Sequence, residues 1–154
     1  MKRIFLYLIL FIFILSGIGN AAESIDFKHY KRDGGFSYVQ WSLVTAADGS
    51  LTKTASEDSI CGLVYAIRVI PDSSTPFTDS VTDIRVTDAD EVDLVGGGLD
   101  NISNTTPTSA SALVGGVAMS YPVNGYLYID VLDNSVNSGA CVVKVFYIRC
   151  KGNR

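Results

Sequence analysis

The chain has 154 residues, of which 47% are hydrophobic and 18% are charged, with a formal net charge of -4 and three Cys. This length is typical of one domain, since most domains run roughly 100 to 200 residues. The composition excludes a disordered, collagen-like or coiled-coil chain. Beyond residue 22, ten basic residues stand against sixteen acidic ones. The resulting charge of -6 is a poor match for phosphate, so no nucleic-acid partner is expected.

Residues 1–22 have the three regions of a secretory signal peptide. Lys2 and Arg3 precede an apolar run over residues 4–15, and a small-residue cleavage site follows, with cleavage after Ala21 or after Ala22. A membrane-spanning helix needs roughly 20 apolar residues, so cleavage is favoured and an uncleaved anchor is the alternative. The segment predicts export to a secreted, periplasmic or surface-associated location, with membrane contact only where cleavage does not occur.

The rest of the chain, residues 23–154, is predicted to form one all-β domain because its apolar side chains recur with period two. Alternation over residues 36–45 predicts a strand with one buried face. Asp48-Gly49 predicts a two-residue hairpin that returns as a short strand over residues 51–55. Residues 60–70 are apolar on both parities almost throughout, which predicts a central strand.

The second half of the domain continues this pattern in shorter segments. Further strands are predicted over residues 81–87, 91–95, 113–119, 123–132 and 140–150. Clusters of Gly, Pro, Asn and Asp separate them, and the triple glycine at residues 96–98 is predicted to supply a sharp loop. About seven or eight short strands of this kind predict an antiparallel β-sandwich of the jelly-roll or Ig-like type.

Cys61, Cys141 and Cys150 are an odd set in an exported chain, so at most one disulfide can form within it. Cys141 and Cys150 lie on one extended strand about 30 Å apart, which argues against their pairing. Cys61 begins the central strand and Cys150 ends the last one, so these two are the preferred pair. Pairing of Cys61 with Cys141 stays open, as do three reduced thiols packed as small hydrophobes.

Two acidic and two aromatic residues are the candidates for binding. Asp88 and Asp90 have the i, i+2 spacing that can hold calcium from a loop, although an EF-hand ligand is missing because residue 92 is Val. Tyr126 and Tyr128 share the parity opposite the apolar side chains, where they could form a stacking platform for a sugar or a partner's rings. Turn chemistry and cross-strand packing account for the same residues without a ligand.

The polar residues do not converge on a reactive centre, so no enzyme activity and no cofactor are expected. A metal site is not expected either, because no CxxC motif or nearby His accompanies the cysteines. His29, the single histidine, belongs to the basic stretch over residues 27–32, which predicts a solvated N-terminal arm. Lys28, Lys31 and Arg32 make that arm a candidate contact for an anionic partner.

Several turn segments resemble those of a known group of proteins. They are Gly62-Leu-Val-Tyr-Ala-Ile67, Pro71 to Pro76, Asp83, Thr87-Asp-Ala-Asp90, Val95-Gly-Gly-Gly-Leu-Asp-Asn101, Pro122-Val-Asn-Gly125 and Asn134-Ser-Val-Asn-Ser-Gly-Ala140. Over about residues 36–148 the chain is similar to small all-β capsid or tail accessory proteins encoded among the virion genes of tailed phages. That resemblance implies a structural role without catalytic residues. The signal segment and the three cysteines depart from the group and point to an exported version.

The sequence therefore predicts a non-enzymatic, extracytoplasmic structural or surface-assembly subunit. It would act through contacts with protein partners, self-assembly among them. The alternative is a secreted or periplasmic module that holds a ligand with the loops over residues 71–79 and 99–111.

Overall fold

The computed structural model describes residues 22–32, 35–77 and 82–150, and the predicted signal peptide up to residue 21 lies outside them. The described part of the chain is all-β and contains eleven strands. They are β1 (Ser24–Lys31), β2 (Phe36–Val44), β3 (Thr54–Ala55), β4 (Ile60–Pro71), β5 (Asp83–Thr87), β6 (Thr108–Ser111), β7 (Leu113–Val114), β8 (Val117–Ala118), β9 (Tyr121–Gly125), β10 (Tyr128–Leu132) and β11 (Ala140–Arg149). Within those three ranges, no helix is long and apolar enough to cross a membrane.

The large sheet has six antiparallel strands in the order β1, β2, β11, β4 and β6, and β9 pairs with the remaining length of β4. The predicted strand over residues 36–45 is confirmed as β2, whose Val39, Trp41 and Leu43 are buried. The prediction of a central strand over residues 60–70 is confirmed as β4, because β11 lies on one side of it and β6 and β9 on the other.

The small sheet has the order β3, β10, β5, while β7 and β8 form a separate two-stranded ribbon. Inner side chains of both sheets meet in one hydrophobic core, to which β2 contributes Trp41, β11 contributes Val145, β5 contributes Ile84 and β10 contributes Ile129. Burial of one side of each sheet against the other confirms the all-β sandwich class. The strand count exceeds the predicted seven or eight because β1 and β6 were not expected, and because the predicted strands over residues 113–119 and 123–132 each divide into two.

The predicted hairpin at Asp48-Gly49 is wrong in its second half. A turn does form there, with the N–H of Gly49 donating to the Ala46 carbonyl at 3.0 Å. The chain then leaves the large sheet, and β3 pairs with β10 instead of β2. β2 already has β1 and β11 as its two neighbours, so no edge is free for a returning strand.

The predicted strand over residues 91–95 is also wrong, because the Asp93 side chain accepts hydrogen bonds from backbone N–H groups that a strand partner would need. The Asp93 carboxylate accepts the N–H groups of Val95 at 3.1 Å and Gly97 at 2.8 Å. Gly96 and Gly97 adopt positive φ, so the segment coils through turns after a single bridge between Thr87 and Asp93.

The predicted strand over residues 123–132 is two strands that belong to different sheets. Between the two strands, Leu127 forms its backbone hydrogen bonds with Ser56. The Ser56 N–H donates to the Leu127 carbonyl at 2.6 Å, and the Ser56 hydroxyl accepts the Leu127 N–H at 3.1 Å. The chain crosses there from β9 in the large sheet to β10 in the small sheet. The expected buried parity nevertheless holds, since Val123, Leu127, Ile129 and Val131 all lie in the core.

Residues 24–31 form β1, so the prediction of a solvated N-terminal arm is wrong for this segment. β1 pairs with β2 over its whole length, from Ser24 opposite Val44 to Lys31 opposite Ser37. His29 points inward, and its side chain is only 7% exposed. Charged side chains therefore mark the outer side of an edge strand here.

Candidate functional site: an exposed aromatic face

The outer side of the large sheet carries a connected set of apolar and aromatic side chains, which we call the aromatic face. Its members come from four neighbouring strands: Tyr30 of β1, Phe36 and Tyr38 of β2, Phe146 and Ile148 of β11, and Leu63 and Tyr65 of β4. Phe36 is 56% exposed and Leu63 is 44% exposed, so these side chains are not part of the core.

Cross-strand pairing holds the rings of the aromatic face in contact. Tyr30 stacks on Tyr38 with ring centroids 4.4 Å apart, and Tyr38 lies 5.7 Å from Phe146. Tyr65 continues the series at 6.3 Å from Phe146 and meets Phe36 edge-on at 6.5 Å. These separations are those of interacting aromatic pairs, so neighbouring rings restrict one another and offer a preorganised surface.

A β-bulge places Tyr65 on the aromatic face. Phe146 lies opposite Ala66 while Tyr147 lies opposite Val64, so Tyr65 is the extra residue in β4. Before the bulge, Leu63 and Tyr65 point outward; after it, Ile67 is fully buried. Because residues 60–70 are apolar on both parities, the sequence does not show where the buried parity changes, and the bulge sets that position.

A row of cationic side chains, which we call the cationic row, borders the aromatic face on the same side of the large sheet. It consists of the three cations Lys28, Lys144 and Arg68, and the neutral Gln40 lies between Lys28 and Lys144. The four residues lie opposite one another across β1, β2, β11 and β4. The Nζ of Lys144 lies 5.4 Å from the centroid of the Tyr38 ring, within the range of a cation–π contact. Lys28 also forms an ion pair with Asp26 at 2.8 Å.

Cys61 and Cys150 close one end of the aromatic face. Their Cα atoms are 5.5 Å apart, at disulfide distance, which confirms the preferred pairing. Cys141 lies on the opposite side of β11 and is buried, so its pairing with Cys61 is excluded. Burial raises the pKa of the Cys141 thiol, which keeps it protonated and unreactive.

The acidic candidates lie on the far side of the domain, where Asp88 organises a turn. One oxygen of its carboxylate accepts the N–H groups of Asp90 at 3.0 Å and Val92 at 3.1 Å. The other accepts the Tyr121 hydroxyl at 2.8 Å, and this contact raises the pKa of Tyr121. Among residues 22–32, 35–77 and 82–150 no three potential ligands gather into a metal-binding group, so calcium binding by Asp88 and Asp90 gains no structural support.

Tyr126 and Tyr128 do not form one stacking platform, because they line separate depressions. Tyr126 lies between β9 and β10 and borders a depression of about 280 Å³. Tyr128 begins β10, borders another depression and has the Nζ of Lys53 at 5.6 Å from its ring centroid. Both depressions include Asp88 and Ala89, so the turn separates the two rings.

A hydrogen-bonded trio of His29, Asp58 and Tyr147, which has no signal in the sequence, joins β1 to β11. Nδ1 of His29 donates to Asp58 at 2.6 Å, and Nε2 is hydrogen-bonded to the hydroxyl of Tyr147. The hydrogen bond from His29 holds the pKa of Asp58 below its ordinary value, with a smaller contribution from Lys31. Tyr147 is buried, which raises the pKa of its hydroxyl and keeps it away from any substrate. The trio therefore has a structural role, which is to hold β1 against β11.

The fold and this surface define a class: a disulfide-linked β-sandwich with a small core and an open aromatic sheet face. Comparison with known proteins finds no family model, no curated protein and no solved structure that matches the chain. The surfaces of the molecule therefore carry the information about its function.

Proposed function

We propose that the chain is a non-enzymatic, extracytoplasmic structural subunit that assembles through protein–protein contacts made by its aromatic face. The exposure of the aromatic face is the observation that carries this proposal. Monomeric proteins rarely expose contiguous apolar patches of this kind, and aromatic anchors dominate the binding energy of protein interfaces.

The exposure and rigidity of the aromatic face favour a protein partner over a small ligand. Its side chains stand on four hydrogen-bonded strands, and the link between Cys61 and Cys150 fixes the ends of β4 and β11 beside it. Small ligands are held in concave pockets that bury most of their surface. An exposed apolar face bordered by a cationic row instead has the apolar centre and polar rim of a protein interface.

The extracytoplasmic location rests on the signal-like segment and on the cysteines. A disulfide is compatible with an oxidising compartment, where such bonds form and persist. The resemblance to accessory virion proteins of tailed phages points to the same kind of role, a subunit that works by contact. An exported subunit of an envelope-assembled particle or surface filament would combine these features.

The proposal is tested by removing the aromatic anchors. The protein exported from cells expressing the full chain would be compared with its Phe36→Ser/Tyr65→Ser variant by sedimentation velocity and negative-stain microscopy. Loss of two interface anchors is expected to weaken assembly at least about tenfold. The matched control is Val117→Ser/Met119→Ser, which removes side chains that are 60% and 57% exposed in and beside the β7–β8 ribbon.

Assembly that survives in the aromatic variant and fails in the control would contradict the proposal. A wild-type chain that stays monomeric at high concentration, without filaments or rings, would also contradict it. The ligand-binding alternative with the loops over residues 71–79 and 99–111 would then become the leading hypothesis, and a thermal shift on ligand addition would test it.

A further inference from the structure

The outer edge of β1 is an open sheet edge. β1 pairs with β2 along one side, and on its other side no described residue bonds to its backbone, whether in a strand, a bridge or a loop. Every second residue of β1 therefore directs its N–H and C=O groups away from β2, and these groups form a row without a partner among the described residues. Such a row is a template for one more strand.

The inner side chains of β1 are only partly covered. Ile25 and Phe27 pack against the core but remain partly exposed, although Phe27 meets Trp41 edge-on at 5.5 Å between ring centroids. A further strand beside β1 would cover their open flank, which removes apolar area from water. Among the described residues, the outer edge of β1 thus has no backbone partner, and its inner side chains are only partly covered.

We propose that β1 of a second copy occupies this edge. The two strands run antiparallel about a two-fold axis, with Phe27 of one copy opposite Phe27 of the other. This inference deepens the proposed function and rests on it, because it names a second copy as one partner of the assembling subunit.

Charge complementarity sets the register of this pairing. With Phe27 on the axis, Asp26 of each copy lies opposite Lys28 of the other, which gives two opposite-charge pairs on the outer side. A shift to the next registers that keep inner side chains together would place Asp26 opposite Asp26 or Lys28 opposite Lys28. The chosen register also places the small Ser24 opposite the large Tyr30.

Pairing of the two edges would merge the large sheets into one continuous sheet. Paired residues of neighbouring strands point to the same side, so both aromatic faces would lie on one surface of the dimer. A two-fold pair is closed and leaves the outer edge of neither β1 free. The doubled aromatic surface remains available for the contact that extends the assembly.

Charge reversal tests this register. Asp26→Lys and Lys28→Asp, each alone, would place like charges opposite each other twice in the dimer, and each is expected to weaken dimerisation at least about tenfold in sedimentation velocity. An equimolar mixture of the two variants restores both opposite-charge pairs between copies, so a heterodimer is expected by native mass spectrometry. The mixture does not restore the Lys28–Asp26 ion pair within either chain, so recovery reports the contact between copies.

Single variants that dimerise like the wild type would overturn the inference, and so would folded variants whose mixture stays monomeric. Circular dichroism and the retained link between Cys61 and Cys150 establish folding for each variant. If Phe36→Ser/Tyr65→Ser abolishes assembly while both charge variants assemble normally, the edge inference fails and the proposed function stands. If the wild type never self-associates, both fail.

Discussion

The outer surfaces of the two sheets differ sharply although they cover the same core. The large sheet presents the aromatic face with its cationic row, while the small sheet and the loop after β5 present carboxylates, which we call the acidic face. Its members are Asp83, Asp88, Asp90, Glu91, Asp93, Asp100 and Asp130, together with the cations Lys53 and Arg85. Arg85 lies directly opposite Asp130, and Lys53 contacts Glu91 at 3.1 Å.

Charge and exposed apolar area are thus segregated on opposite sides of the molecule. Net negative charge keeps a protein soluble, and here it is concentrated on the side away from the rings. The carboxylates of the acidic face are largely occupied with their own loops, as the contacts of Asp88 and Asp93 show. The aromatic face, in contrast, makes contacts within itself and leaves its outer surface free for another chain.

The largest expected effect comes from removing the covalent link beside the aromatic face. Cys61 and Cys150 are separated by 89 residues, so the link restricts the unfolded chain strongly. Cys61→Ser/Cys150→Ser is expected to lower the free energy of unfolding by about 4 kcal/mol in urea titration. Cys141→Ala is the matched control, since this buried thiol is free, and an equal loss in the control would refute the assignment.

A smaller loss of stability is expected when the hydrogen bond between Tyr121 and the Asp88 turn of the acidic face is removed. Tyr121→Phe removes the hydroxyl that donates to Asp88, and we expect a loss of about 1 kcal/mol in the free energy of unfolding. Tyr121 belongs to β9 and is part of neither the aromatic face nor the β1 edge, so association measured by sedimentation should not change. Weakened association in Tyr121→Phe would show that the two faces are coupled.

The smallest expected loss of stability comes from the hydrogen-bonded trio of His29, Asp58 and Tyr147, and it depends on pH. Because the pKa of Asp58 is lowered from 3.8, its carboxylate stabilises the fold fully above that value, and the contribution is lost as pH falls through the lowered pKa. The Tm of Asp58→Asn should therefore lie below that of the wild type near neutral pH, and the difference should shrink in strong acid. Asp90→Asn, in an exposed turn, is the control, and a pH-independent difference for Asp58→Asn would exclude this explanation.

Much of the fold could be predicted from the sequence because inner side chains alternate. The alternation of Val39, Trp41 and Leu43 predicted β2. The positions of Cys61 near the start of β4 and Cys150 after the end of β11 favoured their pairing. The alternation of Ile25, Phe27 and His29 also carried a strand signal, but the charged residues between them suggested a solvated arm. In an edge strand these charges occupy the solvent side, which composition alone does not distinguish.

The candidate site could not be predicted because it depends on which apolar side chains stay outside. Apolar residues on both parities of β4 suggested burial on both sides, whereas Leu63 and Tyr65 face solvent. The bulge at Tyr65 has no sequence signal of its own, since it arises from the register with Phe146 and Tyr147. Rings from distant segments meet only once the strand order β1, β2, β11, β4 is known.

The link between Cys61 and Cys150 also has a mechanical consequence. It closes a covalent ring from Cys61 to Cys150 that contains nearly all of β4 and β5 to β11, and it leaves β1, β2 and β3 outside. A force applied to the two ends of the chain could pull β1 to β3 away but could not extend the ring, which holds back roughly 300 Å of contour length at about 3.4 Å per residue. A subunit held under tension in an assembly would therefore yield only in its N-terminal part, before Cys61.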